Sequence, residues 1–420
     1  MILRLAFFSL KNRWLTTCLT LASISLGVAL FLGIERVRFG VRESFSSAIS
    51  QTDLIVGARG GSLPLLLYSV FHLGNATNNI SHSSYAHFRD HAAVKWTIPY
   101  SLGDSHRGYR VVATNSSFYE NYRYRGDQQI QFLEGQAAQD IFDVVIGAEV
   151  ARKLKYQLGE KIVLAHGVSQ GAAIFDHADK PFRVVGILKR NSTPIDRALY
   201  ISLEGMEAIH MDWKDGGPPD LGKEMKAESF SKESIQIEQI TTFLLRTKSR
   251  IDALRLQREI LDFKGEPMMA IIPGVAMAEL WNGVSYAEDS LKVVSTFVIL
   301  VGVLGLLVAL LTSLNERRRE MAILRVMGMG ASRLIFLVIL ETFFVCLSGI
   351  GLGIGLVYGG LSLSQSWIES YFGLFIPLKA LQMSDYIYLT ILLATSVLVS
   401  AIPAVKAYQT SLSDGLSLRV

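Results

Sequence analysis

All eight histidines of this 420-residue chain lie between His72 and His210, and five fall between residues 72 and 106. Imidazole ligates divalent metals and exchanges protons near neutral pH, so this uneven distribution singles out one part of the chain. If Ser84 to Ala92 is helical, His87 and His91 stand at i and i+4 on one face with Asp90 beside them. That spacing can hold a divalent metal once further ligands are added. No third ligand of fixed position is readable, so the pattern equally describes surface histidines, the commoner case. Glu341 is the one carboxylate well inside an apolar run, and an acid at membrane depth is a functional group by default. It lies about two turns from Arg333, where hydration or an ion pair with an Arg is the commoner explanation. No Ser-His-Asp set or carboxylate pair can be assembled from spacing, so no enzymatic activity is expected of this chain.

The elements that must position these residues are set by long apolar runs. Half of the sequence is hydrophobic, which points to an integral membrane protein. The formal charge of +4 comes from Lys and Arg clustered beside apolar runs, as topology signals are, and excludes nucleic acid as a partner. Cys18 and Cys346 are the only cysteines and both fall in apolar runs, so neither a disulfide framework nor a zinc-thiolate site is available. Met1 to Trp14 has the composition of a helix lying on a membrane surface. Leu15 to Ile34 is about twenty uncharged residues, enough to cross a hydrocarbon core of about 30 Å. No small-x-small cleavage site follows it, so a span is expected and not a removed signal.

Residues 35–292 change character to mixed polar sequence with strand-like alternation. Strands are expected at Thr52 to Val56, Tyr109 to Ala113, Val144 to Ile146, Lys161 to Leu164 and Phe182 to Leu188. Helices are expected near Leu65 to Leu73 and over Gly147 to Leu158. Gly57, Gly60 and Gly61 make a turn and not a phosphate loop, because the Walker spacing is absent. Asp212 to Ser234 reads as an exposed lobe. A strand over Ile235 to Arg246, a helix over Ile251 to Phe263 capped by Ser249, and a strand over Met268 to Ile272 form a closing β-α-β unit.

The remainder, residues 293–420, holds span two (Val293 to Leu314), span three from Leu334, span four (Tyr386 to Val405) and a short tail. Between spans two and three, Asn315 to Arg333 sets Arg317, Arg318, Arg319, Arg325 and Arg333 against Glu316 and Glu320. Each Arg at a bilayer centre would cost roughly 2.5 to 3.5 kcal/mol, so the segment lies outside the membrane, and its basic excess places it in the cytoplasm. Ile323, Leu324 and Met327 recur at helical spacing, Gly328 and Gly330 break the helix, and Ser332 is the expected N-cap of span three. Gly351, Gly355 and Gly359 share one face of that span; an intramolecular seam and a dimer interface fit the spacing equally. The expected architecture is therefore an α-helical membrane protein with four transmembrane helices. A large α+β extracytoplasmic domain is inserted between spans one and two, and both termini are cytoplasmic.

Four stretches resemble the FtsX/MacB-like permeases of ABC transporters, the mechanotransmission or type VII systems. They are SLKNRWLTTCLTLASISLGVAL at span one, VVIGAEVARKLKYQLGEKIVL followed by PFRVVGILK and ALYISL in the domain, EMAILRVMGMGASRLIFLVILETFFVCLSGIGLGIGL across the basic segment, and IPAVKAYQTSLSDGLSL at the end. The usual proline after the closing polar run is missing. The resemblance implies a bacterial inner-membrane permease subunit. A cytoplasmic ABC ATPase dimer would dock on the loop between spans two and three, with Arg317, Arg318, Arg319, Glu320, Ile323, Leu324 and Met327 in the coupling helix and Gly328 and Gly330 in its turn. A second permease copy, identical or related, would complete the pair. It also implies a periplasmic adaptor or lipoprotein as a further partner. The cargo expected is a lipoprotein, lipid, peptide or hydrophobic compound. No Walker A motif is present, so ATP and Mg are expected on a separate polypeptide and no cofactor on this one. Two other readings stand beside this one: an ATPase-linked regulator or receptor scaffold controlling a cell-wall hydrolase or sensing a ligand, and a zinc or other metal-handling ABC system.

Overall fold

A computed structural model of the chain describes residues 8, 11, 13–46, 48–167, 176–213, 230–372 and 376–409. The expected surface helix over Met1 to Trp14, the lobe over 212–234 and the final tail fall largely outside the described residues. Two compact units are distinguished, Arg42–Val284 and a second made of Met1–Val41 with Ser285–Val420.

The first unit is built on strands β1 (Leu54–Ala58), β2 (Ile80–Ser81), β3 (Val94–His106), β4 (Tyr109–Thr114), β5 (Arg123–Tyr124), β6 (Gln128–Gln129) and β7 (Phe132–Gly135). They are followed by β8 (Asp143–Ile146), β9 (Lys161–Ile162), β10 (Phe182–Leu188), β11 (Ala198–Ser202), β12 (Gln239–Ile240), β13 (Thr242–Thr247) and β14 (Met268–Ile271). Ten of them form one mixed sheet in the order β14-β1-β13-β3-β4-β11-β8-β10-β7, with β9 paired to β10. The β4–β11 and β8–β10 pairs are parallel and the rest antiparallel.

Both faces of this sheet are buried, and the period-2 alternation of its strands shows it. Val111 and Ala113 join one apolar cluster while Val112 joins the other, and Phe243 and Leu245 are likewise divided from Leu244. On the first face pack Tyr85 and Phe88 of helix His82–Arg89, Met206 and Ile209 of helix Leu203–His210, and Leu256 and Ile260 of helix Arg250–Leu261. The opposite face takes Leu65 and Leu66 of helix Ser62–Val70, Phe118, and Ala276 with Met277. Residues such as Phe243 and Leu244, with no exposed surface, each stabilise the fold by about 1.5–3 kcal/mol. The expected β10 is found over the same residues, and Ser249 caps its helix by accepting the Asp252 N–H at 3.2 Å. The expected strand over Ile235 to Arg246 is instead two strands, β12 and β13, parted at Thr241. There the Thr241 hydroxyl leaves the ladder to meet Asn79 and the Leu102 N–H.

In the second unit, three helical stretches among the described residues are long and apolar enough to cross a membrane: Trp14–Glu43, Ser332–Ile368 and Met383–Ile402. Ile24, Val28, Phe31 and Leu32 pack with Val345, Cys346, Ile350, Leu389 and Leu392 into their shared core. Arg36 and Asp385 form a buried ion pair, and Asp385 also accepts the Gln382 N–H at 2.8 Å, closing the start of the last helix. The expected span two, Val293 to Leu314, is helical, but no separate short helix follows it. A single helix runs from Pro273 to Val326, because the sequence from Leu306 to Val326 contains neither Gly nor Pro. Gly328, at φ +89°, ends it. Ser332 is not the N-cap of the next helix: the N–H groups of Arg333 and Leu334 both donate to the Gly330 carbonyl, so Gly330 holds that position.

Candidate functional site

Strand β3 pairs with β13 along its first part and with β4 along its second. In the β3–β4 ladder Leu102 stands opposite Val112 and Ser105 opposite Arg110, so Gly103 and Asp104 share the single partner Val111. Such a two-for-one step is a β-bulge, which re-aims a side chain. Here it carries Asp104 to a cluster of three histidines. His166 and His177 are held at the same strand end: Ala165 bridges Ser105 on one side and Asp176 on the other, and the His177 N–H donates to the Leu164 carbonyl at 2.8 Å. His210 is the last residue of helix Leu203–His210, which Ser202 caps by accepting the Gly205 N–H.

The donor atoms converge. Asp104 Oδ1 lies 3.4 Å from His166 Nδ1 and 3.5 Å from His210 Nε2, while Oδ2 lies 3.6 Å from His177 Nε2. His166 Nδ1 and His210 Nε2 are 3.1 Å apart, and one donor atom from each of the four residues lies within 4.8 Å of every other. The Trp213 indole covers the group, its ring centroid 4.5 Å from that of His177 and 5.0 Å from that of His166.

Asp104 and His177 are both 0% exposed, and among the described residues neither carboxylate oxygen and neither ring nitrogen has a hydrogen-bond partner. Leaving such groups unmatched costs about 1–3 kcal/mol each. His210 is oriented by its helix: Nδ1 lies 2.9 Å from the Met206 carbonyl, which can only accept. Nδ1 therefore carries a proton, and Nε2 faces the cluster. Burial pushes the Asp104 carboxyl up, but the surrounding His166, His210 and His177 outweigh it and bring it down to about 2. Burial lowers His177 to about 4, against the pull of Asp104. For His210 burial is outweighed by Asp104 and the Met206 carbonyl, and the pKa is raised. Three imidazoles and one carboxylate so arranged are suited to holding a cation.

The sequence-predicted pair is placed differently. Helix His82–Arg89 ends with Asp90 as its C-cap, so His91 lies beyond the helix and the expected i, i+4 face does not form. The His87 ring packs on Phe88 and Phe263, whereas His91 Nδ1 accepts the Ala93 N–H and its Nε2 is 3.6 Å from Glu259. Among the described residues the Asp104 group is the only cluster of three or more such ligands. His106, though adjacent in sequence, has both ring nitrogens engaged, by the Val163 carbonyl and the Tyr156 hydroxyl.

The backbone at Arg317, Arg318, Arg319, Glu320 and Leu324 is helical, and their side chains lie outside the described residues. Ile323 and Met327 are exposed, and Gly328 and Gly330 form the break between helices. Glu341 is buried, with 1% of its surface exposed. Of the glycines in helix Ala331–Phe372, Gly349 and Gly353 meet the first apolar helix: a Cβ at Gly353 would stand 2.7 Å from Val28 Cβ. At Gly351, Gly355 and Gly359 it would meet nothing within 4 Å.

Apolar helices joined to an α+β domain built on a mixed sheet define an integral membrane protein with a folded polar domain. The family model of the MacB-like periplasmic core domain matches residues 17–262, more than half of the chain, and that of the FtsX-like permease C-terminal matches residues 292–412. The chain belongs to the FtsX/MacB-like ABC transporter permease family. Among solved structures, the periplasmic region of MacB from Actinobacillus actinomycetemcomitans is similar at 10% identity and a TM-score of 0.34, covering 56% of this chain and 95% of that one. The extracellular domain of the noncanonic ABC-type transporter YknZ from Gram-positive bacteria is similar at 13% identity and a TM-score of 0.30, covering 52% of this chain and 99% of that one. No curated protein matches the chain.

Proposed function

We propose that this chain is the membrane subunit of an ABC system in which a separate cytoplasmic ATPase dimer, carrying ATP and Mg, docks on Arg317 to Gly330 and drives motion of the sheet domain on the far side of a bacterial inner membrane. The observation that carries this reading is the unbroken helix Pro273–Val326. Near its start Ala276 and Met277 lie in the domain core, and near its end it carries the basic segment. One helix thus carries both the residues packed in the domain core and the segment we assign to the ATPase.

In this arrangement the helix crosses the membrane over Val293 to Leu314 as the second of four spans, and both termini are cytoplasmic. The open face at Gly351, Gly355 and Gly359 supports a second permease copy as the transmembrane partner. The cargo is a lipoprotein, lipid, peptide or hydrophobic compound met at the outer leaflet. Charge reversal of Arg317, Arg318 and Arg319 to Glu tests the docking assignment: the ATPase should no longer co-purify with the chain. Retained ATPase binding and turnover would overturn it.

A further inference from the structure

We propose that Asp104, His166, His177 and His210 form a four-ligand site for a divalent cation of the zinc class, exchangeable with solvent on the His166 side. Four ligands around zinc at about 2.0–2.2 Å in a tetrahedron stand about 3.3–3.5 Å from one another. His166 Nδ1, His210 Nε2 and Asp104 Oδ1 stand 3.1, 3.4 and 3.5 Å apart, close to the edges of one face of that tetrahedron, and His177 Nε2 approaches the second carboxylate oxygen at 3.6 Å, all four residues offering donor atoms within 4.8 Å of one another. Three of these four contacts are longer than ordinary hydrogen bonds. A central cation engages the Asp104 oxygen and the His177 nitrogen that otherwise have no partner among the described residues.

The donor chemistry selects the class of ion. Three imidazoles and one carboxylate suit zinc and its neighbours in the transition series, whereas calcium and magnesium require all-oxygen shells. The Met206 carbonyl on His210 Nδ1 is the outer-shell contact that fixes a ligand's tautomer. Four protein ligands leave no open coordination position, so the site holds its ion and performs no hydrolysis. The His166 and His210 side chains retain 40% and 27% of their surface, which gives the ion a route in and out. Occupancy ties together the bulged end of β3, His166 beside Ala165, His177 beside Asp176, and the end of helix Leu203–His210. Binding itself rests on these residues alone. That the domain reads the metal level outside the cell rests on the permease orientation proposed above.

The test uses the full chain in detergent, stripped with chelator and titrated with zinc chloride by calorimetry, then with cobalt(II) by visible absorption. One zinc per chain is expected, with the intense cobalt bands of four-coordinate geometry. His166→Ala, at a partly exposed position, should weaken zinc at least tenfold while the metal-free melting curve is unchanged. The double variant His87→Ala/His91→Ala should bind zinc as the parent does. Absence of zinc heat, a weak six-coordinate cobalt spectrum, or parental affinity in both His166→Ala and His210→Ala would overturn the proposal. None of these measurements involves the ATPase, so a failure here and a failure of the docking assignment are distinguishable.

Discussion

Removing the carboxylate of Asp385 should be among the most damaging single changes in the helical unit. Arg36 and Asp385 pair with side chains 3% and 5% exposed, and the guanidinium also sits 5.8 Å from the centroid of the Tyr358 ring. Deleting one member of a buried pair leaves the other charged and unsolvated, at a cost of about 3–5 kcal/mol. Asp385 also accepts the Gln382 N–H, a helix-start contact worth about 0.5–2 kcal/mol. Asp385→Ala loses both, whereas Asp385→Asn retains an acceptor for the backbone. The expected order of stability is therefore parent, then Asp385→Asn, then Asp385→Ala, with losses of about 3 kcal/mol or more. Arg36→Met combined with Asp385→Leu removes both charges and should recover much of the loss, because an apolar pair of similar volume pays no desolvation. Unfolding of the full chain in detergent, read by tryptophan fluorescence across all four corners of the cycle, measures the coupling. A coupling energy below about 0.5 kcal/mol would refute the reasoning, since distant independent sites already add that closely.

The glycine faces make opposite predictions. Gly353→Leu drives a side chain into Val28 and the Ser25 carbonyl and should cost about 1–3 kcal/mol of overpacking, while Gly355→Leu should leave the monomer's melting temperature unchanged. Ser249→Ala removes the hydroxyl that accepts the Asp252 N–H and should destabilise the sheet domain by about 0.5–2 kcal/mol in chemical denaturation. His72 is held neutral in the fold: burial and then the Arg110 guanidinium lower its pKa to about 4. A histidine with a depressed folded pKa binds its proton more readily when unfolded, so stability falls as pH drops from about 6.5 toward 4, by at most about 3 kcal/mol. Melting temperatures at pH 7.5 and 5 should therefore converge for His72→Asn, which tolerates the left-handed backbone at that position, more than for the parent.

The sequence made the sheet domain legible where side-chain alternation was clean, as in β10, and where a cap residue preceded a periodic run, as at Ser249. It hid β3, because Lys95, Gly103 and Asp104 interrupt the alternation, although the Arg107-Gly108 turn between two runs is a hairpin signal. The metal-ligand reading pointed to His87 and His91 because helical periodicity ranks neighbours in sequence. The observed cluster draws on a bulge, the bridged residues around Ala165 and Asp176, and a helix end, all far apart in the chain, and no periodicity links them. The glycines show the same limit. Two interleaved rows at four-residue spacing are equivalent on paper, and only the placement of Ile24 and Val28 shows that Gly349 and Gly353 form the packed row. The basic segment was recognisable from its charges, but its continuity with the preceding helix followed from the lack of any breaker after Gly305, a negative signal that is easily overlooked.

The bulge at Gly103 and Asp104 also settles a matter of charge. In a regular ladder continuing from Leu102 opposite Val112, residue 104 would stand opposite Arg110, on the other face of the sheet from Val111. Three neutral imidazoles alone would then surround a dication with its full double charge. The surplus residue in β3 brings a carboxylate to the ion and halves that charge. Nearby, the fully buried Lys180 is held by both Asp179 and Asp212.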